Sequence, residues 1–362
     1  MQSRPPRTGA PRRGRSQGKK AFDARHRRIG AATPHRSRRH GIVAMQHGTI
    51  PTPRLLDGLI RMAIVSVFAF ILVLLAVGAL LRVWRLVPDT APETLNIVAI
   101  YVCMPAAILL NVPRLSFERE LIGLIAIPWI CLAVSIALVL ALSRLLRWDR
   151  PSTACLLMEV PMGNTAFIGY ALIPALAGPS AMRYAVVYDQ FGTFLILASF
   201  GLFVLALYGG GARPTAGAIA RRVLRFPPFL ALMLGLTVMP AELPVAVARP
   251  LETLSGALLP IVVIALGMQL RLKLPRRYLA PLGIGLVAKL IALPLLALAL
   301  CAAFGLTGDL RAVAVFQTAM PTMMTTGALL SMAGLAPELA AAMVGYGTVL
   351  SIVTLPLWHW VL

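Results

Sequence analysis

The chain has 362 residues, 59% of them hydrophobic and only 13% charged, with a mean hydropathy of +0.82. A soluble protein carries about 25% charged residues, so this composition excludes a water-soluble enzyme and points to an all-α polytopic membrane protein. The net charge of +21 is concentrated at the start, where residues 1–61 hold 15 Lys/Arg and two acids, Asp23 and Asp57.

Residues 1–61 are rich in Arg, Pro, Gly and Ser and show no hydrophobic period. Such a segment buries too little apolar surface to fold, and a disordered basic tail is expected. Binding of nucleic acid or anionic lipid, a targeting role, and a true translational start at Met45 or Met62 are alternative readings; the late start is preferred, and no nucleic-acid partner is expected. Crossing a bilayer takes roughly 20 apolar helical residues. That ruler yields ten candidate spans, at 62–81, 93–112, 121–142, 152–177, 181–208, 227–240, 245–270, 280–304, 311–334 and 338–361. The domain reading is therefore a first five-helix repeat at 62–208, a basic glycine-rich linker at 209–226 and a second five-helix repeat at 227–362.

The fourth span is interrupted by Glu159, Pro161, Gly163, Asn164 and Thr165. Proline removes a backbone donor and glycine weakens a helix. In lipid, irregular backbone is tolerated only where it is buried or lines a cavity. The ninth span has a matching interruption at 317–327, so the sequence predicts two broken helices, 160 residues apart from Pro161 to Pro321. Leu124–Pro128 and Leu290–Pro294 also match, and Glu93-Thr-Leu recurs as Glu252-Thr-Leu, with Pro105 and Pro260 following. An odd number of spans per repeat predicts an inverted repeat. Loop charge sets orientation. With both ends outside, thirteen Lys/Arg fall in the inner loops and five on the outer side, placing the 209–226 linker in the cytoplasm.

Ionisable residues inside spans are costly and mark function or pairing. Asp189, Glu159 and Lys289 are the candidates for proton coupling, each with a structural alternative as a cap or pairing partner; Asp189 is favoured for function and Lys289 for structure. A half-helix starting near Gly163 offers free N–H groups to an anion. Asn164 and Thr165 on one side, with Thr322, Thr325, Thr326 and Gln317 on the other, are the candidate substrate-binding residues, and the same side chains could instead satisfy freed backbone groups. Met158, Met162, Met320, Met323 and Met324 read as adaptable packing, with soft-metal ligation a minor alternative. Four apolar-embedded cysteines and a histidine-poor membrane region predict no metal site, no cofactor and no enzyme.

The segments Gly163-Asn-Thr-Ala-Phe-Ile-Gly169, Tyr188-Asp-Gln-Phe-Gly192, Leu259–Arg271, Ala319-Met-Pro-Thr322 and Ser351–Pro356 together resemble the auxin efflux carrier family of permeases, malonate/malate transporter-like members included. The resemblance covers about 62–362. It implies ten helices in two inverted repeats, with helices four and nine unwound at Pro161 and Pro321 and crossing at the midplane, and Asn164 beside the substrate. The second crossover departs from this pattern in carrying Thr322 and no nearby asparagine. The expected function is secondary transport of a small organic anion across a bacterial inner membrane, with H+ or Na+ as coupling ion. A channel or receptor-like sensor is the alternative, and an intramembrane hydrolase a weaker one. The oligomeric state is left open, a homodimer included.

Overall fold

The computed structural model describes residues 53–115, 119–210, 215–270 and 275–362. Residues 1–52 of the predicted tail lie outside the described residues, as do Arg213, Arg271 and Lys273 of the charge count. The described chain is helical throughout, and the β-type pairing it holds is one isolated bridge.

Thirteen helical segments follow in order among the described residues. They are α1 Pro53–Val83, α2 Ala91–Asn111, α3 Glu120–Leu145, α4 Arg150–Glu159, α5 Thr165–Leu176, α6 Pro179–Gly209, α7 Ala216–Leu224, α8 Pro227–Thr237, α9 Val245–Gln269, α10 Arg276–Phe304, α11 Gly308–Ala319, α12 Met324–Met332 and α13 Pro337–Val361. Six of them, α2, α3, α6, α9, α10 and α13, are long and apolar enough to cross a membrane. Both predicted breaks are present, as the α4–α5 and α11–α12 interruptions.

One expectation changes. The first helix begins at Pro53 and not near residue 62, so the last part of the expected tail is helical. Within the linker lies the amphipathic α7, with Thr215 capping Ala218 N–H at 3.2 Å, Val223 buried, and Arg221 and Arg222 in its last turn. Its apolar side packs with Phe194 and Ala198 of α6, beside a Phe194–Phe226 stack with ring centroids 4.2 Å apart.

The helices sort into a panel and a bundle. The panel is α1, α2, α8 and α9, with α1 packed along α9 and α2 against both α8 and α9. Gly78 and Gly267 make the α1–α9 approach close: a Cβ on Gly78 would collide with the carbonyl of Ile264, and one on Gly267 with the carbonyl of Leu75. Small residues at such contacts let membrane helices gain dispersion and backbone contact where burial against lipid gives no hydrophobic gain. The bundle holds the other long helices around the two breaks, and α9 and α1 touch it through α5.

Proline leaves its marks inside the long helices. Pro294 in α10 cannot donate to the carbonyl four residues earlier. That carbonyl, on Leu290, accepts instead from Trp358 Nε1 of α13 at 2.9 Å, and the helix widens into a π-type turn at Ala288–Ala292. A similar wide turn at Ala99–Cys103 precedes Pro105 in α2. Helix ends also meet in register. Arg82 Nη1 donates to Met268 O at 2.6 Å, Arg150 Nη2 to Leu207 O at 3.1 Å, and Arg277 faces Glu338 at 3.5 Å. At the other end Ser180 Oγ donates to Asp309 at 2.8 Å.

The glycine contact gives a stability test. Gly267→Leu forces α1 from α9 and is expected to destabilise by about 1–3 kcal/mol, the usual range for overpacking. Gly283→Ala, where a Cβ meets nothing within 4 Å, should leave the thermal midpoint in detergent unchanged or slightly raised. Equal midpoints for the two variants would contradict the close-packing account.

Candidate functional site at the helix crossing

Why the chain breaks where it does follows from its prolines and caps. Proline disfavours helical geometry at the residue before it. Met320 obeys, with φ −56° and ψ 143°, so α11 stops just before Pro321. Val160, before Pro161, keeps helical angles of −70° and −52°, and the first break opens after the proline. The two extended segments run antiparallel and pair Gly163 with Thr322. Asn164 N–H donates to Pro321 O at 2.7 Å, and Met323 N–H donates to Met162 O at 3.1 Å. This corrects the sequence register. The prolines are 160 positions apart, but the structural partners are 159 apart, because one break follows its proline and the other precedes it.

Four half-helix ends therefore meet at one point. The N-termini of α5 and α12 contribute unpaired N–H groups and partial positive charge, and the C-termini of α4 and α11 contribute carbonyls and partial negative charge. Asn164 caps α5 by accepting from Ile168 N–H through Oδ1 at 3.3 Å. Its Nδ2 is buried with no protein partner. The two readings of Asn164 thus fall on different atoms: the oxygen holds the helix start, and the amide N–H2 is free for a ligand.

Lys289 lies 1% exposed and does not reach the membrane surface. Its Nζ donates to Thr318 O at 3.2 Å, in the last turn of α11, where a cation complements the helix end. A Cβ on Gly163 would stand 3.0 Å from this ammonium, so glycine is what admits the lysine to the crossing. Thr318 hydroxyl donates to Ala314 O at 2.7 Å. A hydroxyl has one hydrogen, so in the 2.8 Å contact with Thr318 Oγ1 it is Tyr188 that donates.

The two carboxyl groups differ sharply. Asp189, on a wide turn of α6 at Asp189–Thr193, accepts from Thr165 Oγ1 at 2.5 Å, Tyr170 OH at 2.9 Å and Gln190 Nε2 at 2.8 Å. Three donors are what an ionised carboxylate requires, and the group is built into a closed network. Glu159 ends α4 beside two hydroxyls: its Oε1 is 2.9 Å from Thr326 Oγ1, Thr322 lies next to the carboxyl, and Oε2 makes no well-formed hydrogen bond. Thr326 is also 2.5 Å from Met323 O, an acceptor only. One hydroxyl hydrogen cannot serve both contacts fully, and a proton on Glu159 resolves the conflict.

Gln317 bridges the halves: its Nε2 donates to Thr165 O and to Ala185 O, both at 3.3 Å, and its Oε1 is left over. Thr322 is wholly buried with its hydroxyl unpartnered. Of the residues expected from sequence, Glu159, Gly163, Asn164, Thr165, Asp189, Lys289, Gln317, Thr322 and Thr326 converge here, with Pro161 and Pro321 framing the breaks. Thr325 does not join them; it is half-buried on α12 and makes no hydrogen bond to the cluster. Tyr170 and Thr318 were not anticipated. Tyr170 looked like an ordinary aromatic in an apolar run, and the available signal was its position five residues after Thr165.

Buried polar atoms without partners cost about 1–3 kcal/mol each. Here Glu159 Oε2, Asn164 Nδ2, Thr322 Oγ1 and Gln317 Oε1 gather around a single crossing. The methionines Met158, Met162, Met320, Met323 and Met324 are all buried around it as packing. No group of three or more His, Cys, Asp or Glu able to hold a metal occurs among the described residues. The surrounding helices seal the crossing. A crevice runs along the seam between panel and bundle, from Leu75 and Val263 to Ile168 and Leu355, and it is apolar apart from Thr348 and Ser351.

The family model described as membrane transport protein matches residues 63–212 and 213–359. An uncharacterized transporter of Methanothermobacter thermautotrophicus is 31% identical over 299 residues, covering 81% of this chain and 96% of that protein. An uncharacterized transporter of Methanocaldococcus jannaschii is 23% identical over 309 residues, covering 82% and 98% respectively.

The network around Asp189 predicts its own disruption. Thr165→Val removes a buried hydrogen bond to a charged acceptor and should lower stability by about 1.5–3 kcal/mol, read as the thermal midpoint of the purified protein. A Thr165→Ser variant, which keeps the hydroxyl, should recover most of the loss.

Proposed function

The chain belongs to the membrane transport protein family, the auxin efflux carrier group of permeases, and on that premise we propose that it is a secondary transporter of a small organic anion working by alternating access. It is a multi-pass membrane protein and a transporter by family; the substrate class, the coupling and the cycle are the proposal. The observation that carries it is the antiparallel crossing itself, with Asn164 Nδ2 free beside the first turn of α5. A carboxylate docking there meets that amide, the N–H groups of two half-helices and the Lys289 ammonium. Lys289 is within reach because it already lies against Gly163. Transporters of several folds place substrates at broken-helix ends in this manner.

Ten spans in two inverted repeats is the topology this reading uses. It counts each broken helix as one span, adds α1 and α8, and treats α7 as an interfacial connector. Two features support it. The crossing exchanges hydrogen bonds related by a local two-fold, with 162, 163 and 164 standing for 321, 322 and 323. The helix ends also pair as opposed senses require: the Arg82–Met268, Arg150–Leu207 and Arg277–Glu338 contacts join ends that fall on one side, and Ser180–Asp309 joins ends on the other. The first side carries Arg82, Arg85, Arg144, Arg147, Arg150, Arg221, Arg222, Arg225, Arg276 and Arg277, and by the positive-inside rule it is the cytoplasmic one.

Glu159 is the better candidate than Asp189 for carrying a coupling proton. Asp189 is held by three donors, whereas Glu159 has one unpartnered oxygen and a contact that favours its protonated form. Full burial of the crossing also favours a carrier over a channel, since an open pore would leave its polar lining wet.

Proteoliposome counterflow with a panel of mono- and dicarboxylates tests the carrier reading; exchange stimulated by substrate on the opposite side is expected, and flux without counterflow would indicate a channel. Asn164→Asp keeps the capping oxygen while replacing the N–H2 donor by an acceptor. Transport should fall at least about tenfold, the loss of one charge-assisted hydrogen bond, with little change in thermal midpoint; wild-type transport would remove Asn164 from the site.

Proton coupling is tested separately by imposing a pH gradient. Glu159→Gln, which holds the group permanently neutral, should abolish the stimulation of transport by the gradient. Asp189→Asn should keep that stimulation and lower stability instead. The reverse pattern would return the coupling role to Asp189.

A further inference from the structure

Outside the crossing, a hollow of about 430 Å³ opens on the basic end of the molecule between the end of α3, the start of α4 and the start of α10. Its lining includes Arg147, Trp148, Asp149, Ser152, Arg277 and Tyr278. We propose that this hollow binds the headgroup of an anionic phospholipid. It is a site separate from the crossing, since ten residues of α4, about 15 Å of helix, lie between Asp149 and Glu159.

Three observations carry the assignment. The first is charge. Arg147 and Arg277 line the hollow with Asp149 as the one acid among its walls, and Arg144, Arg150 and Arg276 lie within three residues of them in sequence. Asp149 is occupied, accepting from Ser152 N–H at 2.9 Å as the cap of α4. Glu338 meets Arg277 only at 3.5 Å, with both side chains about half exposed or more, a weak surface pair that leaves the guanidinium free to bind a second anion.

The second is the path of the chain. Arg147, at φ 53°, is the left-handed residue of the cap that ends α3, with Trp148 N–H donating to Ser143 O at 3.0 Å. That turn brings Arg147, Trp148 and Asp149 together in the wall of the hollow.

The third is the rim. Leu145 is 77% exposed and Leu279 58% exposed on either side of the arginines. Partly exposed Trp148 and buried Tyr278 are in the wall of the hollow, and Arg277 lies 4.6 Å over the Tyr278 ring. Tryptophan and tyrosine favour the headgroup level of a bilayer. Arginines and aromatic rings in the wall with exposed leucines beyond match a phosphodiester headgroup with its acyl chains running down α3 and α10. A small soluble anion would use the arginines and leave the leucines without an apolar partner.

Trp148 provides the readout. The full chain is placed in nanodiscs containing either brominated phosphatidylglycerol or brominated phosphatidylcholine, and the Trp148 contribution is isolated by subtracting the Trp148→Phe protein. At equal lipid fraction, brominated phosphatidylglycerol should quench that component about fivefold more strongly, the scale expected for one basic side chain near an anionic headgroup. The double variant Arg147→Gln/Arg277→Gln should remove the preference, with folding verified by an unchanged thermal midpoint. Arg221→Gln/Arg222→Gln, on α7 at the same basic end, should leave it intact. Equal quenching by the two lipids in the wild type overturns the proposal. So does loss of preference in the α7 variant, which would mean diffuse surface charge, or reversal by millimolar glycerol phosphate, which would mean a site for a soluble anion.

Discussion

Two backbone hydrogen bonds between interrupted helices set the geometry of everything near the centre of this protein. Asn164 N–H to Pro321 O and Met323 N–H to Met162 O lock two extended segments antiparallel. In a medium without water each freed backbone group needs a partner, and each break finds some of its partners in the other. Neither interrupted helix would be tolerable alone. Their mutual satisfaction is what allows four helix termini to be buried at one point.

From that constraint the site chemistry follows. Buried helix ends carry partial charge and leave polar groups to be matched, and buried side chains are set against them. Lys289 sits at the C-terminal carbonyls of α11, and Glu159 reaches the first turn of α12 through Thr326. Asp189 is excluded from this exchange, because Thr165, Tyr170 and Gln190 enclose it. Burial alone would have ranked the two carboxyl groups equally, as both are inaccessible. Their hydrogen-bond inventories separate them: one has a full set of donors, the other an unmatched oxygen facing the crossing.

The periphery obeys a different logic. The α1–α9 contact rests on two glycines and on backbone proximity, the α10–α13 contact on an indole filling the carbonyl that Pro294 leaves open. Both are ways of packing helices where lipid competes for apolar surface. The basic end adds arginines, and the hollow beside Arg147 is lined by that residue and Arg277. The crossing and the basic hollow are thus two polar regions with opposite solutions, one sealed among helices and one open at the surface.

Much of this was legible without coordinates. Composition alone placed the chain in a membrane, and the prolines and glycines near 161 and 321 marked both breaks, since a missing donor or missing Cβ acts locally wherever the helix lies. Asn164, Gln317 and Lys289 stood out for a similar reason: a polar side chain in an apolar run has to find a partner. What the linear pattern could not supply was which partner. The offset of 159 and not 160 depends on whether each helix stops before or after its proline, and that is decided by packing around Val160 and Met320. The roles of Glu159 and Asp189 likewise turned on Tyr170 and Thr326, residues whose hydroxyls matter only through contacts made across the fold. Thr325 shows the converse, a residue of the right type at the right place in sequence whose helix face turns it away. Sequence determines which groups must be satisfied, because that requirement belongs to each residue; tertiary structure decides which groups satisfy one another, because hydrogen bonds depend on distance and direction between segments far apart in the chain.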